Sequence, residues 1–486
     1  MAAREPTFPS APRLFRELLL AACALTAPAC QDIVAPAPAR PPNVILILAD
    51  DLGRGDLGCY GQEKIRTPAL DALAQQGMRF TQAYASAPVC APSRCALLTG
   101  LHTGHSAIRD NKELQPEGQQ PLPASSVTLA ELLHARGYSC AAIGKWGLGR
   151  AGSEGDPLCH GFDQFFGLYC QRQAQDHYPS WIYRGPTRIP LAGNGGRRTS
   201  GATYAPDLMR EEALTFLRQH ARGKDERPFF LYYAMTLPHS ALQVPEDSLR
   251  EYAGKFPETP YDGSLGGIPH PTPRAAYAAM VAHLDRDVGT LLAELERLDL
   301  ARDTLVLFTS DNGPTNVGGV DPAFFDSSSG SRGLKWQLYE GGIRAPLIVR
   351  WPGHVRAGSV AATPCAGWDL MPTIAHACGA RVPEGLDGLD LGALLQGGPA
   401  PARDFLYWEN PDNGGWQAVR MGDWKALRRN TQKNIPTAIE LYDLASDPGE
   451  KQDVAGRNPD VVERARAAFA TRTDSAIAEW NIKPLR

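Results

Sequence analysis

Two acidic pairs and one cysteine are the residues of this chain whose types and spacing suggest chemistry. Asp50-Asp51 and Asp311-Asn312 offer oxygen ligands only, a set that suits a hard cation such as calcium or magnesium better than zinc. Cys90 opens the run Cys-Ala-Pro-Ser-Arg-Cys-Ala-Leu-Leu-Thr-Gly, in which Pro92 and the helix formers behind it predict a helix beginning near the cysteine. The thiol then lies at a helix N-terminus, where unpaired N–H groups favour anions, with Arg94 one turn further on. A cysteine-phosphatase loop puts five residues between its Cys and Arg; three separate them here, so that kind of thiolate fits poorly. Lys145 and His239 are further candidates, each following an apolar run. Plainer readings stand beside these: Asp-Asp and Ser-Asp-Asn-Gly are turn chemistry, a lone cysteine is ordinarily a buried thiol, and Lys335 or His239 alone reads as a solvated cation or a strand cap.

A sheet would bring these groups together. Residues 44–49 are unbroken Val-Ile-Leu-Ile-Leu-Ala and stop abruptly at Asp50-Asp51. Such a run suits a parallel strand buried on both faces, and its polar ending suits a strand whose carboxyl end opens on a cleft. The pattern recurs at 304–309 before Ser310-Asp311-Asn312-Gly313, at 229–235 before Pro238-His239, at 140–143 before Gly144-Lys145, and at 346–349 before Arg350. Amphipathic stretches at 70–76, 129–136, 207–219 and 275–298 lie between, with helical spacing. Alternating strands and helices predict a large α/β domain. The carboxyl ends of its parallel strands share one rim, so residues distant in sequence can converge there.

Cys90-Ala91-Pro92-Ser93-Arg94, with Leu98-Thr99-Gly100, resembles the signature of type I sulfatases, whose cysteine is oxidised after translation to formylglycine. The resemblance extends through Pro42-Asn43-Val44, Asp50-Asp51, Gly144-Lys145-Trp146, Ser310 to Gly313, Gly333-Leu334-Lys335 and Glu340-Gly341-Gly342-Ile343-Arg344. It implies an alkaline-phosphatase-like α/β fold: a mixed, mostly parallel sheet flanked by helices, with a smaller C-terminal α+β subdomain. It also implies a sulfate ester hydrolase in which the hydrated formylglycine at position 90 attacks sulfur, expels an alcohol and then releases sulfate. Asp50, Asp51, Asp311 and Asn312, with residue 90, would hold one divalent cation, calcium or else magnesium. Arg94 and Lys145 would support the nucleophile, Lys335 would bind sulfate oxygens, and His239 would be the general acid for the leaving oxygen. Arg344 would stand behind these groups. One departure stands out: many family members carry histidine two residues after the lysine, where this chain has Gly147.

Residues 165–181, rich in aromatic and hydrogen-bonding groups, read as a specificity loop in which Arg172, His177 and Trp181 would contact substrate. His105 and Arg109, just after the signature helix, are further substrate-binding candidates. The resemblance leans towards a sulfated saccharide of the galactose or N-acetylgalactosamine type, and it implies a maturation enzyme that generates formylglycine. Past the Pro/Gly-rich stretch 397–401, short strands at 405–409, 416–427 and 439–444 and a helix at 459–470 predict a small antiparallel domain. The division expected is a catalytic domain at 43–396 and a C-terminal subdomain at 402–486.

Composition sets outer limits. The 486 residues are 43% apolar and 21% charged, with 49 Lys and Arg against 53 Asp and Glu, a globular balance that gives no field for nucleic acid. Arg13 and Arg16 precede a short apolar run that ends at Ala27-Pro28-Ala29-Cys30, which reads as a signal peptide over 1–29 and a Pro/Ala linker over 30–42. Cys30 at the junction resembles a lipidated cysteine, so the expected location is exported: periplasmic, lipid-anchored or extracellular. Setting aside Cys23, Cys30 and Cys90 leaves seven of the ten cysteines, an odd number that reads as scattered buried thiols. The competing functions are a phosphate mono- or diesterase on the same fold and a catalytically silent binder of sulfated glycans.

Overall fold

The computed structural model describes residues 40–483 apart from 196–198, 222 and 434–437. The expected signal peptide, Cys30 and most of the linker lie outside the described residues. The apolar run after residue 42 forms β1 (Asn43–Ala49), buried along its whole length. Its side chains alternate between two cores: Ile45, Ile47 and Ala49 on one face, Val44, Leu46 and Leu48 on the other. A strand can be apolar on both faces only inside a covered sheet, and β1 lies within a sheet of ten strands.

The strands that follow are β2 (Met78–Phe80), β3 (Ala83–Tyr84), β4 (Ser139–Lys145), β5 (Gln164–Leu168), β6 (Trp181–Arg184), β7 (Thr187–Pro190), β8 (Phe229–Ala234), β9 (Thr304–Ser310), β10 (Leu347–Arg350), β11 (Ser359–Ala361) and β12 (Cys365–Ala366). The large sheet runs β11-β2-β10-β9-β1-β8-β4-β5-β6-β7, while β3 and β12 pair separately. From β9 to β5 the strands are parallel, and the antiparallel pairs lie towards the two edges. Helices Pro68–Gln76, Ala205–Gln219 and Pro273–Arg297 cover one face; Cys90–Thr99, Leu129–His134 and Leu370–Ala377 cover the other.

Register matters most for function. Ala49 stands opposite Ser310, Leu48 opposite Ala234, and Ala234 opposite Gly144. Asp50, Asp311 and Lys145 are therefore brought to one rim, with the turn leading to His239 between them.

Beyond it, β13 (Leu406–Asn410), β14 (Trp416–Met421), β15 (Trp424–Arg429) and β16 (Glu440–Asp443) form an antiparallel sheet. One face buries Trp408, Trp416 and Leu427 against Tyr84, Ile343 and Trp368 of the large body, and the other packs on helix Pro459–Phe469. Both sheets belong to one compact unit beginning at Pro41.

Two details differ from expectation. The strand expected over 416–427 is a hairpin, because Gly422 takes φ +61 and turns the chain. The loop expected over 165–181 begins inside β5 and ends at β6, strands of five and four residues, too short for alternation to reveal them. The eight described cysteines are unpaired. Among the described residues no helix is long and apolar enough to cross a membrane.

Candidate active site

Helix Cys90–Thr99 starts at Cys90, has Pro92 in its first turn, and stops at Gly100 with φ 70; all ten of its residues are buried. It holds the thiol against the rim of the parallel strands. Cys90 Sγ lies 3.5 Å from Asp50 Oδ1 and 3.3 Å from Lys335 Nζ. Lys335 Nζ also donates to Asp51 Oδ1 at 2.5 Å, and Lys145 Nζ to Asp50 Oδ2 at 2.6 Å. Arg94 donates through Nε and Nη2 to Asp311 Oδ2, at 3.1 and 2.8 Å, and through Nη1 to the Lys145 carbonyl at 2.5 Å. The Asp51 N–H donates to Asp311 Oδ1 at 3.2 Å, which locks Asp51 at φ 63. His239 Nε2 faces Asp51 Oδ2 at 3.5 Å, and its Nδ1 donates to the Ser240 carbonyl at 2.5 Å.

Three carboxylates and three cations thus meet with almost no access to water. Burial works to raise Asp50, but Lys145, His239 and Arg94 outweigh it and hold that carboxyl well below the usual range. Asp311 goes the other way: burial and its neighbour Asp50 push it up to about 6 against the pull of Arg94. Burial works to lower Lys335, yet Asp51 and the other acids hold its ammonium well above the ordinary value. Burial pushes the Cys90 thiol up to about 12, against Lys145 and Lys335, so an unmodified thiol stays protonated at neutral pH. Burial pulls His239 down to about 4, which leaves its ring neutral with Nε2 able to accept a proton.

The residues present fit a divalent cation. Ligand atoms of Asp50, Asp51, Cys90 and His239 all lie within 4.8 Å of one another. Asn312 Nδ2 donates to Asp51 Oδ1 at 2.8 Å, while Asn312 Oδ1 is buried without a partner. A carboxylate raised by its acidic neighbours and an orphaned amide oxygen are what a hard cation relieves.

Above this floor opens a cavity of about 220 Å³. Asp51, Cys90, His239 and Lys335 line it, together with Asn111, Gln171, Gln175, Ser240, Thr315 and Trp336. The second group was missed from sequence. Trp336 had a signal, an aromatic adjoining the candidate Lys335; Gln171 sat beside Arg172 in the expected specificity loop.

The five residues expected to bind substrate are not among those lining this cavity, and each is engaged elsewhere. Arg109 donates to Glu409 Oε1 at 2.7 Å and to the Thr473 carbonyl at 2.8 Å. His105 lies between Asp387 and the Thr471 carbonyl. Arg172 reaches the Pro116 carbonyl, and Trp181 lies under the guanidinium of Arg188. His177 is buried, with Nε2 at 2.8 Å from the His239 carbonyl, so it supports the backbone of His239 instead of reaching substrate. Arg344 donates to the Thr81 carbonyl.

A buried cysteine at a helix N-terminus, ringed by carboxylates and cations at the ends of parallel strands, defines a hydrolase of oxyanion esters. Residues 42–380 match the sulfatase family, and residues 334–468 match the C-terminal part of N-sulphoglucosamine sulphohydrolase. The chain belongs to the sulfatase family, and it is an enzyme that hydrolyses sulfate esters. It is 36% identical to arylsulfatase A of Homo sapiens, over 87% of this chain and 86% of that protein. It is 32% identical to N-acetylgalactosamine-6-sulfatase of Mus musculus, again over 87% and 86%. Among solved structures, Ps i-CgsB in complex with k-i-k-neocarrahexaose superposes with a TM-score of 0.74 at 28% identity, over 89% of this chain and 92% of that one.

Proposed function

We propose that this enzyme removes sulfate from a saccharide of the galactose or N-acetylgalactosamine type, using formylglycine made from Cys90 and a calcium ion. One observation carries the reading: Cys90 Sγ, Lys335 Nζ and the carboxylates of Asp50 and Asp51 converge on the floor of a cavity whose other lining includes neutral polar groups, Val317 and Trp336. Burial raises the thiol there, which accords with a modified residue as nucleophile. The names of the relatives support the substrate class: one is an N-acetylgalactosamine-6-sulfatase, and a solved neighbour is in complex with k-i-k-neocarrahexaose. Asp50, Asp51, Asp311 and Asn312 would hold the cation, which lowers the pKa of the nucleophile and offsets charge developing on the sulfate.

The chain's own side chains divide the remaining work. Lys145 and Arg94 fix Asp50 and Asp311, so the acidic floor keeps its shape when substrate enters. Lys335 Nζ aims a cation at the place where the ester sulfate must lie. His239, neutral with Nδ1 committed to the Ser240 carbonyl, would take at Nε2 the proton of the attacking hydrate hydroxyl of residue 90 and return it to the leaving oxygen. That route needs no side chain at Gly147. The body over 43–396 would carry the reaction, and the sheet over 402–486 would brace the segment containing Arg109. Export, with or without a lipid on Cys30, completes the proposal.

The test takes protein matured in a host that supplies the formylglycine-generating enzyme. Mass spectrometry of the tryptic peptide 80–94 is expected to show carbonyl oxygen in place of sulfur at residue 90. The same sample is expected to release sulfate from galactose or N-acetylgalactosamine sulfates, to lose activity with a chelator and to regain it with calcium. An intact thiol with glycan binding and no turnover would move the silent-binder reading forward, and dominant turnover of phosphate esters would overturn the assignment.

A further inference from the structure

Gln171 lines the cavity, is only 6% exposed, and has neither side-chain Nε2 nor Oε1 in a hydrogen bond. A buried amide left wholly unpaired is costly, and one on a residue that lines a cavity points to a ligand. Its place comes from the sheet. The parallel pairing of β4 and β5 continues past both strands, with the Trp146 N–H donating to the Leu168 carbonyl at 2.9 Å and the Gly147 N–H to the Tyr169 carbonyl at 3.1 Å. The backbone N–H of Gln171 is anchored on Gln119 Oε1 at 3.1 Å, which leaves the side-chain amide uncommitted. That amide occupies the space a side chain at 147 would take. A Cβ on Gly147 would stand 2.2 Å from Gln171 Nε2, and the φ of +81 there favours glycine as well.

The chemistry of the amide narrows what it meets. Ester sulfate oxygens only accept hydrogen bonds, whereas Gln171 offers donors and an acceptor together, the complement of a hydroxyl group. Asn111, Ser240, Thr315 and Trp336 around the same cavity are likewise neutral groups suited to a polyol ring. We propose that Gln171 is a specificity residue that binds a hydroxyl on the alcohol portion of the substrate, beside the ester sulfate. Gly147 is glycine to leave the amide that place. The proposal rests on the saccharide reading above and adds a residue to it. An amide does not titrate, so Gln171 positions substrate and carries no proton.

The experiment compares C90A with C90A/Q171M by calorimetry, using galactose 6-sulfate, N-acetylgalactosamine 6-sulfate and 4-nitrophenyl sulfate, the last a sulfate ester without hydroxyls. Methionine keeps the volume and removes the amide. Q171M is expected to weaken binding of at least one sulfated sugar by about tenfold or more, and that of 4-nitrophenyl sulfate by less than about twofold. In the matured enzyme, Q171M is expected to raise KM for that sugar by a larger factor than KM for the aryl ester. G147A, whose methyl presses on the amide, is expected to reproduce the same selective loss. Equal sugar affinity with and without Gln171 would overturn the proposal. Parallel loss on sugar and aryl ester would overturn it as well, by assigning the amide to the sulfate or to residue 90. If C90A binds no sulfated sugar, the saccharide reading fails first and this proposal falls with it. Should Q171M melt early, Q171N, which withdraws the amide by one methylene, carries the same comparison.

Discussion

At the ends of the parallel strands, Asp50, Asp51 and Asp311 face Arg94, Lys145 and Lys335. Where the C-terminal sheet meets the large body, another buried cluster joins Arg109, Glu409 and Arg472. In the second, Glu409 Oε1 accepts from Arg109 at 2.7 Å, while Oε2 accepts from Arg472 at 2.9 Å and from the Tyr407 hydroxyl at 2.7 Å. Arg109 also donates through Nε and Nη1 to the Ser106 and Thr473 carbonyls and through Nη2 to the Thr473 hydroxyl at 3.5 Å. The first cluster holds six charges against three, yet leaves Asn312 Oδ1, and both amide atoms of nearby Gln171, without partners. Burial and charge are common to the two. Unspent hydrogen-bonding capacity separates them: the saturated cluster fastens one part of the molecule to another, and the unsaturated one waits for something from outside.

Substitutions can break that distinction. C90A is expected to abolish sulfate release, by about a thousandfold or more, and to leave the melting temperature nearly unchanged, because it removes the nucleophile and little packing. K335A is expected to lower kcat by about a hundredfold to a thousandfold, through loss of a preorganised cation at the sulfate; steady-state kinetics on the folded variant checks it. R109A is expected to do the opposite. It leaves the fully buried Glu409 carboxylate with Arg472 and the Tyr407 hydroxyl alone and should cost about 2–3 kcal/mol in urea unfolding, with kcat per folded molecule preserved. If R109A alters kcat while stability holds, the contrast between the clusters is wrong.

The smallest effect concerns pH. The hydrogen bond to Asp387, stronger than the opposing burial, raises His105 above its ordinary value, and the Thr471 carbonyl adds to the rise. A histidine raised in the folded state contributes stability below its unfolded pKa and loses it as pH rises through the folded one. H105Q is therefore expected to cost about 1 kcal/mol near pH 5.5 and less near pH 8.5, measured by urea unfolding at each. A cost that grows with pH would contradict the sign.

How much of this was legible beforehand differs between the same two regions. The rim was, because the apolar runs before Asp50 and Asp311 carry their own evidence of double burial, and parallel strands share a rim. The start of helix Cys90–Thr99 was legible for a similar reason, with Pro92 in its first turn and helix formers behind it. The junction was not. Arg109 and His105 looked like substrate ligands from their closeness to the signature helix, yet their partners Glu409 and Asp387 lie about 300 residues away in sequence.

Local order therefore carried the helix that begins at Cys90, the acidic pairs, the α/β alternation and the short C-terminal strands, since period, strand ends and helix caps are properties of neighbouring residues; the role of Cys90 came from the family resemblance. Only the folded chain decided which side chains of 165–181 face the cavity. A loop residue points where distant contacts send it. Gln119 anchors the backbone of Gln171 and leaves its amide over Gly147, Gln243 accepts the His177 N–H at 2.7 Å, and the Arg188 guanidinium covers Trp181. Those contacts join residues with no local relation, so the substrate side of the site took form only when the sheet closed.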